Sequence, residues 1–270
     1  MHSESTLSPL ALITGASSEI GLAIAKQFAA HGYDLLITGY GAIIHAVAEE
    51  LRDEGVNVDV SEADLSDEEG VNELMMQVHS DGRSVSALAI NAEVGEGGAF
   101  VESFWNIEKD ALMLNLLSTV HLTKQIAKDM LRRKKGRILF TASLAPGGKN
   151  QFEAVYSATK AFLYSFSESL HEEFKGRGVV VTALMPGPSH STFFHPSGFQ
   201  AGEAIMREKF KLSSSELAEQ GFNALMRGEE NVIAAAIKAK IEGSLNRILP
   251  KSFKSFRNQS NPENPSSHRH

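Results

Sequence analysis

The sequence predicts an α/β fold in one domain: a doubly wound parallel sheet of about seven strands with helices on both faces. Three observations carry this. Leu10-Ala11-Leu12-Ile13 is a short unbroken apolar run, which suits a strand buried on both sides. It runs into Thr14-Gly15-Ala16-Ser17-Ser18-Glu19-Ile20-Gly21 and then a helical pattern, Leu22, Ile24, Ala25 and Phe28. Strand-like and helix-like segments then alternate with short connections, and 270 residues with 42% hydrophobic content can bury one large core.

The elements follow in order. Residues 34–38 read as the second strand, 43–54 as a helix, 56–60 as the third strand and 71–78 as a helix. Ser66-Asp67-Glu68-Glu69 opens that helix with capping-box spacing from Ser66 to Glu69. The fourth strand, 87–90, ends at Asn91-Ala92 and a glycine-rich loop, and a long helix follows over 108–134. Its closing Arg132-Arg133-Lys134-Lys135 complements the negative end of the helix dipole, a plainer reading than a nucleic-acid patch, and Gly136 stops it. Strand five is 137–141; a helix from about 156 to 174 leads to strand six, 179–184, which Pro186-Gly187-Pro188 ends. Residues 189–210 read as a mobile segment, 214–227 as a helix, 231–233 as a weak strand, and a last helix runs to 249. Residues 1–9 form an N-terminal extension, and 251–270, rich in Ser, Asn, Pro and charge, read as a disordered tail.

Composition narrows the function. There is no cysteine, so neither a disulfide framework nor a thiolate zinc site is available. Thirty-three acidic against 26 basic residues offer no general attraction to nucleic acid. No apolar stretch approaches the length of a bilayer span and no leader pattern opens the chain, so the expectation is a cytoplasmic protein without a membrane partner. His190 and His195 share a loop without a carboxylate at ligand spacing, so no metal is expected.

Tyr156 and Lys160 stand four residues apart, on one face of a helix and one turn from each other. A phenol ionises near pH 10; an ammonium one turn away favours the phenolate and moves the tyrosine toward acid/base chemistry at neutrality. Ser143 lies where a strand becomes a loop, and its hydroxyl suits a carbonyl oxygen. By itself the pair reads more simply as a surface feature.

The landmarks together resemble the classical short-chain dehydrogenase/reductase family. They are the turn from Thr14 to Gly21, Asp64-Leu65, Asn91-Ala92, Asn115, Ser143, Tyr156 with Lys160, and Pro186-Gly187, spread over residues 10–250. The resemblance implies a Rossmann-type domain and an NAD(P)-dependent oxidoreductase that reduces a carbonyl or oxidises a secondary alcohol by hydride transfer. Tyr156 would be the general acid/base, Ser143 would hold the substrate oxygen, Lys160 would perturb Tyr156 and bind the nicotinamide ribose, and Asn115 would position a water in a proton relay. For the cofactor the resemblance implies Thr14, Gly15, Ser17, Ser18, Ile20 and Gly21 in the first turn. Tyr40, Asp64 and Leu65 would follow, then Asn91, Ala92, Tyr156, Lys160, Pro186 and Gly187. Phe193 and Phe194, in a lid at about 189–212, would join Ser143 and Tyr156 around an apolar carbonyl substrate, unless they simply pack that lid onto the core.

Two departures concern the cofactor. Glu19 replaces the middle glycine of the family turn, and Glu93 replaces the glycine that normally follows Asn91-Ala92. A carboxylate about 4 Å from a pyrophosphate costs on the order of 4 kcal/mol, roughly a thousandfold in affinity. Either Glu19 turns outward as an acidic first-turn residue, or the chain is a non-catalytic nucleotide-sensing or interaction relative; an epimerase using the same pair is a third reading. The end of strand two, Ile37-Thr38-Gly39-Tyr40-Gly41, has no acid to bind both ribose hydroxyls, so NADP(H) is expected over NAD(H). Ala158, Ala161, Ser165 and Ser169 form a small-residue stripe, read as a homodimer or homotetramer interface or as packing against the sheet.

Overall fold

Leu10–Ile13 (β1) is buried along its whole length near the middle of a seven-stranded sheet in the computed structural model. The structure describes residues 8–39, 41–80, 82–95, 98–143, 154–186 and 213–233. These include β2 (Asp34–Thr38), β3 (Val58–Ser61), β4 (Val85–Ile90), β5 (Gly136–Thr141), β6 (Val179–Met185) and β7 (Asn231–Ile233). All pairings are parallel and the order is β3-β2-β1-β4-β5-β6-β7. The chain therefore winds outward from β1 in one direction and from β4 in the other. A crevice opens beyond the C-terminal ends of these two strands, where ligands bind in such sheets.

The helices are α1 (Glu19–Ala30), α2 (Ile43–Arg52), α3 (Glu68–Ser80), α4 (Trp105–Leu112), α5 (Thr119–Arg133), α6 (Ala154–Phe174) and α7 (Ser214–Arg227). On one face, Leu74 of α3, Met130 of α5 and Leu163 of α6 share a core with Leu12, Leu88 and Phe140 of the sheet. On the other, α1 packs on α2 and α7, with the Phe28 and Phe222 rings edge-to-face at 5.1 Å. The ends of α7 are chemically marked. Ser213 and Glu216 form a capping box at the start, and Gly228, at φ 77°, closes the end.

Four local readings are corrected. The long helix begins at Trp105 and is interrupted by a π-helical segment, Met113–Ser118, between α4 and α5. Asp67, not Ser66, caps α3: its carboxylate accepts from Gly70 N at 2.7 Å, while Ser66 donates to Asp64 at 2.7 Å. Gly136 does not stop α5. Lys134 does, in the left-handed region at φ 54°, and Gly136 opens β5 where a Cβ would strike the Met130 side chain. The small-residue stripe does not pack on the sheet as a unit, since Ala158, Ser165 and Ser169 are exposed and Ala161 is half-buried. The 189–212 lid, the last helix and the tail lie outside the described residues.

Candidate functional site

The crevice is a cleft of about 420 Å³ lined by the turns that follow β1, β2, β3 and β4 and by Asp110 and Leu114. The first turn is held by backbone geometry. Gly15 has φ +66°, and a Cβ there would lie 2.7 Å from Ala92 Cα; a Cβ on Gly21 would lie 2.1 Å from Gly15 O. Ser18 caps α1: its Oγ accepts from Gly21 N at 3.0 Å and donates to Gly15 O at 2.9 Å. Glu19, the first residue of α1, is exposed and lines the cleft.

Thr14 and Asn91 tie this turn to β4. Thr14 Oγ1 accepts from Asn91 N and Ala92 N, each at 3.0 Å, and the Asn91 amide donates to Gly15 O at 3.1 Å and to Ser18 Oγ at 3.0 Å. These two sequence-predicted cofactor residues thus shape the turn. Ser17, Ile20, Asp64, Leu65 and Ala92 all line the cleft, as does Gly39, where an added Cβ would lie 2.8 Å from Ser17 Oγ. Among the described lining residues stand four acids, Glu19, Asp64, Glu93 and Asp110, and no lysine or arginine.

Tyr156 and Lys160 converge on Glu93, which lines the cleft. The Tyr156 hydroxyl donates to Glu93 Oε1 at 3.2 Å, and the Lys160 ammonium forms an ion pair with the other carboxylate oxygen. Lys160 Nζ lies 5.6 Å from the centre of the Tyr156 ring and donates to Thr141 O at 2.9 Å. The lysine side chain is only 3% exposed. Burial lowers its pKa to about 7, while the touching carboxylate works in the opposite sense and favours the ammonium. Gly95 lies flat against the Tyr156 ring, where a Cβ would come within 2.6 Å.

Asn115 is buried on the π-helical segment, and its amide faces the loop after β4. It accepts from Val94 N at 3.0 Å and donates to Val94 O at 2.7 Å and to Thr159 Oγ1 at 3.2 Å. Thr159 in turn donates to Tyr156 O at 2.8 Å. Ser143 is half-buried just beyond β5, and Pro186 is buried just beyond β6. Tyr40, Gly187, Phe193 and Phe194 lie outside the described residues. The sequence reading missed Thr141 and Thr159 as partners, although Thr159 stands inside the Tyr-Ser-Ala-Thr-Lys run. It read Glu93 as an obstacle and not as a partner of Tyr156 and Lys160. Among the described residues no three of His, Asp and Glu converge as a metal site, and no helix is long and apolar enough to cross a membrane.

The sequence pattern of short chain dehydrogenases matches residues 9–200. The chain is 32% identical over 180 residues to the 3-oxoacyl-acyl-carrier-protein reductase FabG of Aquifex aeolicus, covering 66% of this chain and 73% of that protein. In structure it resembles a bulky-bulky ketone specific alcohol dehydrogenase from Comamonas testosteroni, with TM-score 0.76, 25% identity, and 97% and 98% of the two chains covered. It also resembles an actinorhodin polyketide ketoreductase with NADPH, with TM-score 0.74, 27% identity, and 87% and 99% covered.

Proposed function

The chain belongs to the short-chain dehydrogenase family and is an NAD(P)-dependent oxidoreductase; from that premise we propose that it uses NADP(H) to reduce a carbonyl compound, or to oxidise the matching secondary alcohol. The observation that carries the proposal is the convergence of the Tyr156 hydroxyl and Lys160 Nζ on one carboxylate, Glu93, which lines the cleft. The turn itself fits a dinucleotide: Gly15 and Gly21 let it pack tightly against the β4 loop and against itself, and the N-terminus of α1 faces the cleft.

Bound there, a nicotinamide cofactor supplies the hydride or takes it up in the reverse direction. Tyr156 gives its phenolic proton to the substrate oxygen during reduction and takes one during oxidation. Lys160 holds positive charge beside the phenol, favours the phenolate, and donates to the ribose hydroxyls. Ser143 donates to the substrate oxygen and orients it. Asn115 fixes the loop after β4 against α6, so that Tyr156 keeps its place.

NADP(H) is favoured because β2 ends in Thr38 and Gly39 with no acid at that point, and because the ketoreductase relative was solved with NADPH. A bulky, apolar ketone is the proposed substrate class, on the likeness to the ketone-specific alcohol dehydrogenase and on Phe193 and Phe194 of the sequence. A homodimer or homotetramer through α6 fits Phe162, exposed on the same helix as the small-residue stripe. The test is NADPH consumption with a panel of apolar ketones, for the unsubstituted protein and Tyr156→Phe. The variant is expected to bind NADPH, melt normally and lose turnover by 10²-fold or more, roughly the value of a general acid; an undiminished rate overturns the assignment.

A further inference from the structure

Building on the function proposed above, we infer that Glu93 sets the affinity for the cofactor by competing with it for Tyr156 and Lys160. The carboxylate engages the tyrosine hydroxyl with one oxygen and the lysine ammonium with the other. Those donors are the ones assigned above to the substrate oxygen and the ribose hydroxyls, so a ribose that takes Lys160 must share it with Glu93 or displace the carboxylate. Of the three N–H donors on Lys160, one already goes to Thr141 O.

Neither neighbour of Glu93 lets the backbone retreat. Ala92 N is bonded to Thr14 Oγ1, and Val94 is bonded through both its N–H and its carbonyl to Asn115. The carboxylate can leave only by rotation of its own side chain, while its Cα stays in place. The carboxylate oxygen that pairs with Lys160 is buried, so the attraction between the two charges is screened less by water than that of a surface pair. Glu19 differs on each point. It is exposed at the first turn of α1, where a carboxylate is favoured by the helix dipole. The two departures from the family pattern are therefore unequal, and Glu93 is the one that holds affinity down.

The test is the dissociation constant for NADPH, measured by titration calorimetry without substrate, for the unsubstituted protein, Glu93→Gly, Glu93→Gln and Glu19→Gly. The glutamine variant keeps the size of the side chain and the loop's backbone freedom, so it separates charge from loop flexibility. Both Glu93 variants are expected to bind at least tenfold more tightly, about 1.4 kcal/mol, with Glu19→Gly within about twofold of the unsubstituted protein on the same scale. With a ketone substrate, the KM for NADPH is expected to fall in the same proportion as the dissociation constant. If all four proteins bind NADPH equally, the competition is refuted and the oxidoreductase assignment stands. Weaker binding by the Glu93 variants also refutes it. If none of the four proteins binds NADPH, both readings fall.

Discussion

Glu93 and Lys160 form an ion pair that joins the loop after β4 to α6, across 67 positions of sequence, beside the cleft that Glu93 lines. Its energetics can be read from stability against pH. A buried lysine whose folded pKa lies below its unfolded value binds fewer protons when folded, so stability rises with pH between the two values, about 7 and 10.5. The penalty is fully present below about 7 and gone above 10.5. Glu93 opposes the shift. Glu93→Gln is therefore expected to lower the folded pKa further and to extend the rise in stability to lower pH. Denaturant unfolding at several pH values across and below that window measures it, and a rise that begins no lower than in the unsubstituted protein would refute the pairing.

Gly21→Ala places a methyl group 2.1 Å from Gly15 O and 2.8 Å from the Asn91 amide. Both are held in the turn that ties β1 to β4, so neither yields cheaply. Overpacking of this kind costs about 1–3 kcal/mol, and the variant is expected to lose NADPH binding. Calorimetric binding equal to that of the unsubstituted protein would show that the turn is not the cofactor cradle.

Asn115→Ala removes the partner of Val94 N, Val94 O and Thr159 at once. Each buried polar group left unpaired costs about 1–3 kcal/mol. Faster hydrogen exchange is expected at the Val94 amide, together with a reduced turnover rate. Unchanged exchange at Val94 would remove the clamp from the account.

The exposed face of α6 predicts self-association. Light scattering at micromolar concentration is expected to give a dimer or tetramer mass, and Ala158→Arg, which sets a long charged side chain into the small-residue stripe, is expected to lower it. A monomeric mass for the unsubstituted chain rules the interface out.

In the cleft proposed to hold the cofactor, Asp64, Glu93 and Asp110 repel its phosphates, an interaction that salt weakens. The Debye length falls from about 30 Å at 0.01 M to about 8 Å at 0.15 M ionic strength. NADPH affinity is accordingly expected to hold or rise over that range. A steep loss of affinity with salt would mean that cations dominate the site.

Local chemistry made much of the fold legible. The bounds of β2, α7 and β7 follow from apolar runs and caps. The Tyr156 and Lys160 pair is visible because four residues make about one helical turn, a relation internal to one element. The π-helical segment was not visible, because its wider turn is stabilised by what Asn115 meets on the β4 loop and not by the residues around it. The cap of α3 was misplaced by one residue because Ser66 and Asp67 both suit the role, and only the position of Asp64 takes Ser66 away.

The sequence by itself determined the alternation of strands and helices, the glycine turn that leads into α1, and the presence of a tyrosine, a lysine and a serine suited to carbonyl chemistry. Those follow from periodicity and from the stereochemistry of single residues. Tertiary structure decided what Glu93 does. As a residue in a loop it is only a carboxylate where the family has a glycine; the parallel packing of β4 beside β5 and the passage of α6 over them bring its two oxygens onto Tyr156 and Lys160. That contact joins residues more than sixty positions apart. No local pattern encodes it, because its geometry is fixed by the register of the sheet and by the hydrogen bonds that hold Ala92 and Val94 on either side.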